Sequence, residues 1–127
     1  MSGTRVIAAI AAGGALGSAL RYGVTLAAPD PLWATFGANL VGCAVIGALM
    51  VLIVEVGVGP PLLRPFLGIG VLGGFTTFSA YAMGAVVEAD AGRVGVAVTY
   101  LLVTVVGALA ATWVGVVAAR RLTRRPG

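Results

Sequence analysis

The sequence has no histidine, no lysine and one cysteine, and only 9% of its 127 residues are charged. A single cysteine excludes a disulfide within the chain, and the lack of histidine excludes His-based metal clusters. Cys43 reads as a small packing residue. The four acids, Asp30, Glu55, Glu88 and Asp90, all fall near the ends of apolar runs, where they read as solvated flanks. No carboxylate lies in the middle of a run, whereas a small proton-coupled drug exporter needs one at membrane depth. No nucleophile–base pair is visible either, so nothing points to an enzyme.

What the chain has in abundance is apolar length. Hydrophobic residues make up 60% of it, against about 45–50% in ordinary soluble domains. Four runs carry the excess, at residues 6–28, 32–54, 66–87 and 94–119. Each reaches the ~20 residues that cross ~30 Å of hydrocarbon as a helix. The fold class expected is an all-α membrane protein of four transmembrane helices, forming one domain over residues 1–127. The first run is too long for a signal-peptide core and passes into the second through Pro29-Asp30-Pro31, so it is expected to remain in the protein.

Arginine supplies all the positive charge. Up-down-up-down threading puts both termini on one side with the second loop, and that side collects Arg5, Arg64, Arg120, Arg121, Arg124 and Arg125. The other side has Arg93 alone. The positive-inside rule then predicts cytoplasmic termini in a plasma membrane. The basic tail abuts a span, so it reads as a contact for anionic lipid headgroups and not for nucleic acid. Gly13 and Gly17, and the series Ala34, Ala38, Gly42, are small residues at intervals of four, which let helices approach closely. Four thin helices make a poor solute path alone, so oligomerisation is expected.

The polar residues inside the runs carry the functional signal. Thr35 and Asn39 are four apart and share a helix face. Two readings of Asn39 stand level: helix glue, for about 0.6 kcal/mol, or an amide NH₂ offered to an anion. Tyr100 and Thr104 line up hydroxyls on one face of the fourth run, where back-bonding to the helix itself is the competing reading. Arg21 either snorkels from the end of the first helix or sets a positive potential at a vestibule. Residues 73–81, GGFTTFSAY, interrupt the third run. Paired glycines weaken a helix, and irregular backbone at membrane depth frees groups that protein, water or an ion must satisfy. Aromatic edges, being positive, can face an anion. A glycine-kinked packing helix remains the plain alternative.

These residues resemble a known family, the Fluc (CrcB) fluoride channels. The likeness runs through GGALGSALRY, TFGANLVGC and GGFTTFS to the hydroxyls of the fourth run. The resemblance implies an antiparallel, dual-topology dimer whose third helices break at their centre and cross. It implies a structural sodium ion held by the backbone carbonyls of Gly73 and Thr76. It also implies a fluoride pore along Asn39, Thr35, Phe78, Tyr81, Tyr100 and Thr104, with Arg21 near its vestibule. Fluoride would leave the cytoplasm passively, down its electrochemical gradient. The chain departs from the family where TTFSTF becomes TTFSAY, where Gly84 replaces a frequent Glu, and where Ala108 lacks a hydroxyl. An antiparallel homodimer favours a near-zero arginine bias, so the six-to-one bias points to a heterodimer with a homologous subunit of opposite orientation. A non-conducting or partly conducting partner subunit is the alternative.

Overall fold

The computed structural model describes residues 2–124; Arg125, counted above in the basic tail, lies outside them. Among the described residues every regular element is helical, and four helical stretches are long and apolar enough to cross a membrane: Gly3–Ala27, Pro31–Val56, Arg64–Asp90 and Val94–Thr123.

Helix α1 (Gly3–Ala27) starts at Ser2, whose hydroxyl accepts the N–H of Arg5. It stops at Ala28, which is extended (φ −91°, ψ 137°) because a residue before proline avoids helical geometry. Asp30 then caps α2 (Pro31–Met50), accepting the N–H of Leu32 at 3.0 Å, with Pro31 in the first turn where no N–H is needed. α2 continues as wider i→i+5 turns over Val51–Val56 and ends at Gly57, whose φ of 82° suits only glycine comfortably. The third segment opens with wide turns over Arg64–Val71, tightens into the short α3 (Leu72–Phe75), and resumes as α4 (Phe78–Asp90). Helix α5 (Val94–Thr123) follows a turn closed by an ion pair between Arg93 and Glu88. Glu88 raises the pKa of Arg93, first through their hydrogen bond and then through its charge.

Two glycine-lined seams hold the helices together. α1 lies against the first half of the third segment. A Cβ on Gly17 would sit 1.9 Å from the Val71 carbonyl oxygen, and one on Gly13 would sit 2.3 Å from that of Phe66. Gly70 and Gly74 answer from the other side, each against the α1 backbone. The second seam joins α2 to α5, where a Cβ on Gly115 would meet the Ala44 oxygen at 2.0 Å and one on Gly47 the Thr112 oxygen at 2.3 Å. Lipid tails give apolar helices no hydrophobic reason to associate, so such close backbone approach supplies the packing. Arg120 binds Glu55 at 2.6 Å, which fixes the second loop and the end of α5 at the same end of the bundle.

A cluster of Tyr81, Ala85, Ala97 and Tyr100 fills the space between α4 and α5. No large side chain among the described residues is wholly buried. Ile7, Trp33, Phe78 and Leu109 all point outward, leaving apolar surface on several helices for lipid or another subunit.

Candidate functional site

Between α3 and α4 the helical dihedrals lapse for two residues. Thr76 (φ −82°, ψ 153°) and Thr77 (φ −150°, ψ 122°) are extended. The Thr76 N–H and hydroxyl both donate to Leu72 O at 2.9 Å, ending α3. The Thr77 hydroxyl accepts the Ala80 N–H at 3.1 Å, starting α4 as an N-cap. The interruption frees backbone groups that a continuous helix would pair.

Side chains from two other helices take up part of that freed backbone. Arg21 of α1 donates through Nε to Gly74 O at 3.2 Å, placing a cation at the negative end of α3. Asn39 of α2 meets Thr77 twice: its Oδ1 accepts the Thr77 N–H at 2.7 Å, and its Nδ2 donates to Thr77 O at 3.0 Å. Asn39 thus does act as glue, though toward backbone and not toward another side chain. One of its two amide hydrogens stays uncommitted among the described residues. Other groups go unclaimed. The Thr76 carbonyl takes no hydrogen bond from the described residues, and Gly73 O loses its normal i+4 donor because the Thr77 N–H turns to Asn39. The side of Gly73 where a Cβ would project is open.

Beside the interruption lies a groove of about 240 Å³, lined by Asn39, Cys43, Thr76, Thr77, Phe78, Tyr81, Thr104, Val105 and Ala108. Phe78 projects outward, 79% exposed. Tyr81 is buried, its hydroxyl donating to Leu101 O of α5 at 2.7 Å. Its ring stands 5.6 Å from Phe78 and 5.4 Å from Tyr100, so three rings form a tilted series.

The hydroxyls of α5 divide sharply. Thr112 and Thr123 bond back to carbonyls four residues earlier, as Thr25 does in α1. Thr104 does not: its hydroxyl and that of Tyr100 are buried with no partner among the described residues. Burying an unpaired hydroxyl costs about 1–3 kcal/mol. Two such groups one turn apart call for a partner the chain itself does not supply, and an ion or a water molecule has the chemistry to be one.

The seven residues singled out for a pathway fall in three places. Asn39, Phe78, Tyr81 and Thr104 share the groove. Tyr100 lines an apolar recess of about 300 Å³ with Leu32, Trp33 and Phe36. Thr35 and Arg21 line a wider cleft of about 620 Å³, with Asp30 and Glu88 at its edge. Among the groove residues that sequence reading did not assign to the site are Cys43 and Thr77. Cys43 lies one turn beyond Asn39 on the same face, and that spacing was the available signal. Thr77 could have been found as an N-cap threonine before an apolar stretch.

No group of three His, Cys, Asp or Glu side chains among the described residues could hold a metal. Neutral main-chain oxygens at Gly73 and Thr76 are what the site offers, and such carbonyls at broken membrane helices suit a monovalent cation.

Four apolar helices with uncharged donors gathered at an irregular point define a multi-pass membrane protein. The family model described as CrcB-like protein, Camphor Resistance (CrcB), matches residues 8–116. The chain belongs to this family. It is 48% identical over 123 residues to Fluoride-specific ion channel FluC 1 of Streptomyces coelicolor, covering 94% of this chain and 80% of that one. Similarity to FluC 2 of Nocardia farcinica is 47% over 122 residues, covering 93% and 87%. FluC of Agrobacterium fabrum is 39% identical over 121 residues, covering 91% and 97%. Proteins of this kind are channels and not enzymes.

Proposed function

We propose that this chain is a subunit of a fluoride-selective channel that lets cytoplasmic fluoride leave passively through the plasma membrane. The observation that carries the reading is the pair of buried, unpartnered hydroxyls at Tyr100 and Thr104. Stripping water from fluoride is the main barrier to its passage, and selectivity requires donors that replace that water yet release the ion. The free amide hydrogen of Asn39, the hydroxyl of Thr104 and the ring edge of Phe78 offer this without a formal charge. Tyr100 continues the hydroxyls one turn away, and Thr35 and Arg21 would form the approach, where a guanidinium raises local anion concentration.

The groove is open, and Phe78 stands outward from a single chain. We read it as one wall of a pore completed by an antiparallel second subunit. The third segments would then meet at their interruptions, with the carbonyls of Gly73 and Thr76 contributing to a sodium site on the two-fold axis. When bound, that ion supplies positive charge that ties the interrupted backbones together. The arginine bias favours cytoplasmic termini for this chain and a homologous partner of opposite orientation.

The second reading, a partly conducting partner subunit, draws on Tyr81. Its hydroxyl is committed to Leu101 O, and Ala80 provides no side-chain donor. Fluoride efflux from liposomes holding this chain, with and without the presumed partner, tests both. Efflux from the pair that Thr104→Val in this chain removes supports a conducting wall here. Efflux indifferent to Thr104 leaves conduction to the partner.

A further inference from the structure

In a continuous helix the Thr77 N–H would bond Gly73 O, and Thr77 O would accept the N–H of Tyr81. Asn39 diverts the Thr77 N–H from Gly73 O, accepting it at 2.7 Å, and its Nδ2 adds a 3.0 Å bond to Thr77 O, the carbonyl that as N-cap also opens α4. An Asn amide has the same donor–acceptor pairing as a peptide group, so it can stand in for the neighbouring strand of a ladder. Without it, the low-energy alternative at membrane depth is helix closure, because unpaired backbone groups there cost several kcal/mol. Asn39 is 8% exposed, so water is not a ready substitute.

We infer that Asn39 is a positioning residue for the cation site: by pairing with both backbone groups of Thr77 it holds that residue extended, which keeps the Gly73 carbonyl free for a monovalent cation and leaves the Thr77 hydroxyl placed to take the Ala80 N–H that would otherwise close on the Thr76 carbonyl. This rests on the channel reading above and adds a residue that touches neither the cation nor its carbonyls. Asn39 thereby links the two ion sites, since the same side chain faces the groove and holds the interruption open.

The test uses the full chain with whatever partner it needs, and three readouts. The first is the ¹³C chemical shifts of Thr76 and Thr77. The second is the rise in Tm when sodium replaces N-methylglucamine. The third is the sodium concentration for half-maximal fluoride efflux. Asn39→Ala should move the threonine shifts from extended toward helical values and abolish the sodium-induced rise. It should also raise the half-maximal sodium concentration roughly tenfold, within the usual range for coupled sites. Asn39→Asp keeps the acceptor that holds the Thr77 N–H away from Gly73, so it should retain extended shifts and most of the sodium response. Gly37→Ala, at an open position on the same helix, should match the parent.

Extended shifts and an unchanged sodium response in Asn39→Ala, with efflux merely slower, would overturn the inference and leave Asn39 a fluoride donor only. If Asn39→Ala does not fold, the near-isosteric Asn39→Leu, which also lacks the pairing, decides, and extended shifts with an unchanged sodium response in it overturn the inference. A parent protein that neither passes fluoride nor responds to sodium would defeat the channel reading. The threonine shifts would still judge the brace: unchanged shifts sink it, changed ones support it.

Discussion

The α1–third segment seam and the groove beside Thr76–Thr77 are built from the same stretch of chain, and they treat polar backbone in opposite ways. In the seam, Gly13, Gly17, Gly70 and Gly74 let two backbones approach until no Cβ would fit. In the groove, the Thr76 carbonyl and the Thr104 hydroxyl are left unpaired within an open, partly apolar wall, with the unpaired Tyr100 hydroxyl one turn away. Membrane burial penalises unpaired groups heavily, so a chain selected for stability alone would close them. The contrast separates residues that build the bundle from residues held ready for an ion, although both sets are small or uncharged.

Substitutions can break this comparison, starting from the seam. Gly17→Ala puts a methyl against the Val71 backbone, with no flexible side chain to yield. Overpacking of this kind costs about 3 kcal/mol, and thermal unfolding in detergent should show a large fall in Tm or little folded protein.

On the groove side, Thr104→Val removes a buried hydroxyl that bonds nothing in the chain. Fluoride efflux should drop at least about tenfold, equal to ~1.4 kcal/mol of lost ion stabilisation, while Tm holds or rises. Thr112→Val is the matched control, since that hydroxyl bonds Ala108 O, and efflux should stay within about twofold. Loss of flux together with loss of stability at Thr104 would erase the distinction between the two regions.

Phe78→Ile keeps an outward apolar side chain but removes the ring edge. Efflux should slow markedly with little change in Tm, because the exposed ring contributes little to the packing of one chain. The smallest effect is expected at Glu55→Gln, which cuts an exposed ion pair with Arg120. Solvent screens such exposed pairs, so they contribute little, and neither efflux nor Tm should move appreciably.

Much of the architecture was legible because membrane spans are written in long apolar runs and proline-bounded turns. Gly13 and Gly17 stood out for the same reason, since i, i+4 spacing needs no tertiary knowledge. Their partners Gly70 and Gly74 were harder to assign: Gly74 belongs to a local Gly-Gly pair that reads as a helix breaker, and only the fold shows it facing α1. The candidate site was legible as residue types more than as a place. Asn39 and Phe78 meet in one groove, but Tyr100 and Thr35 line other recesses, because helix faces diverge over the length of a span. The Asn39–Thr77 pairing joins residues 38 apart in sequence, beyond the reach of any local pattern. Likewise, the sequence pairs Thr104 with Tyr100 by spacing but does not show that the Thr104 hydroxyl is left unpaired while that of Thr112 bonds back to its own helix.

The most direct measurement is fluoride efflux from proteoliposomes holding the complete channel, with this chain carrying Tyr100→Phe and Thr104→Val together. Removing both unpaired hydroxyls should bring the rate through this chain's pore wall down to that of protein-free vesicles, while the protein stays as heat-stable as its parent. Efflux at the parental rate from the doubly substituted channel would contradict the claim that these hydroxyls stand unpaired in order to serve the ion.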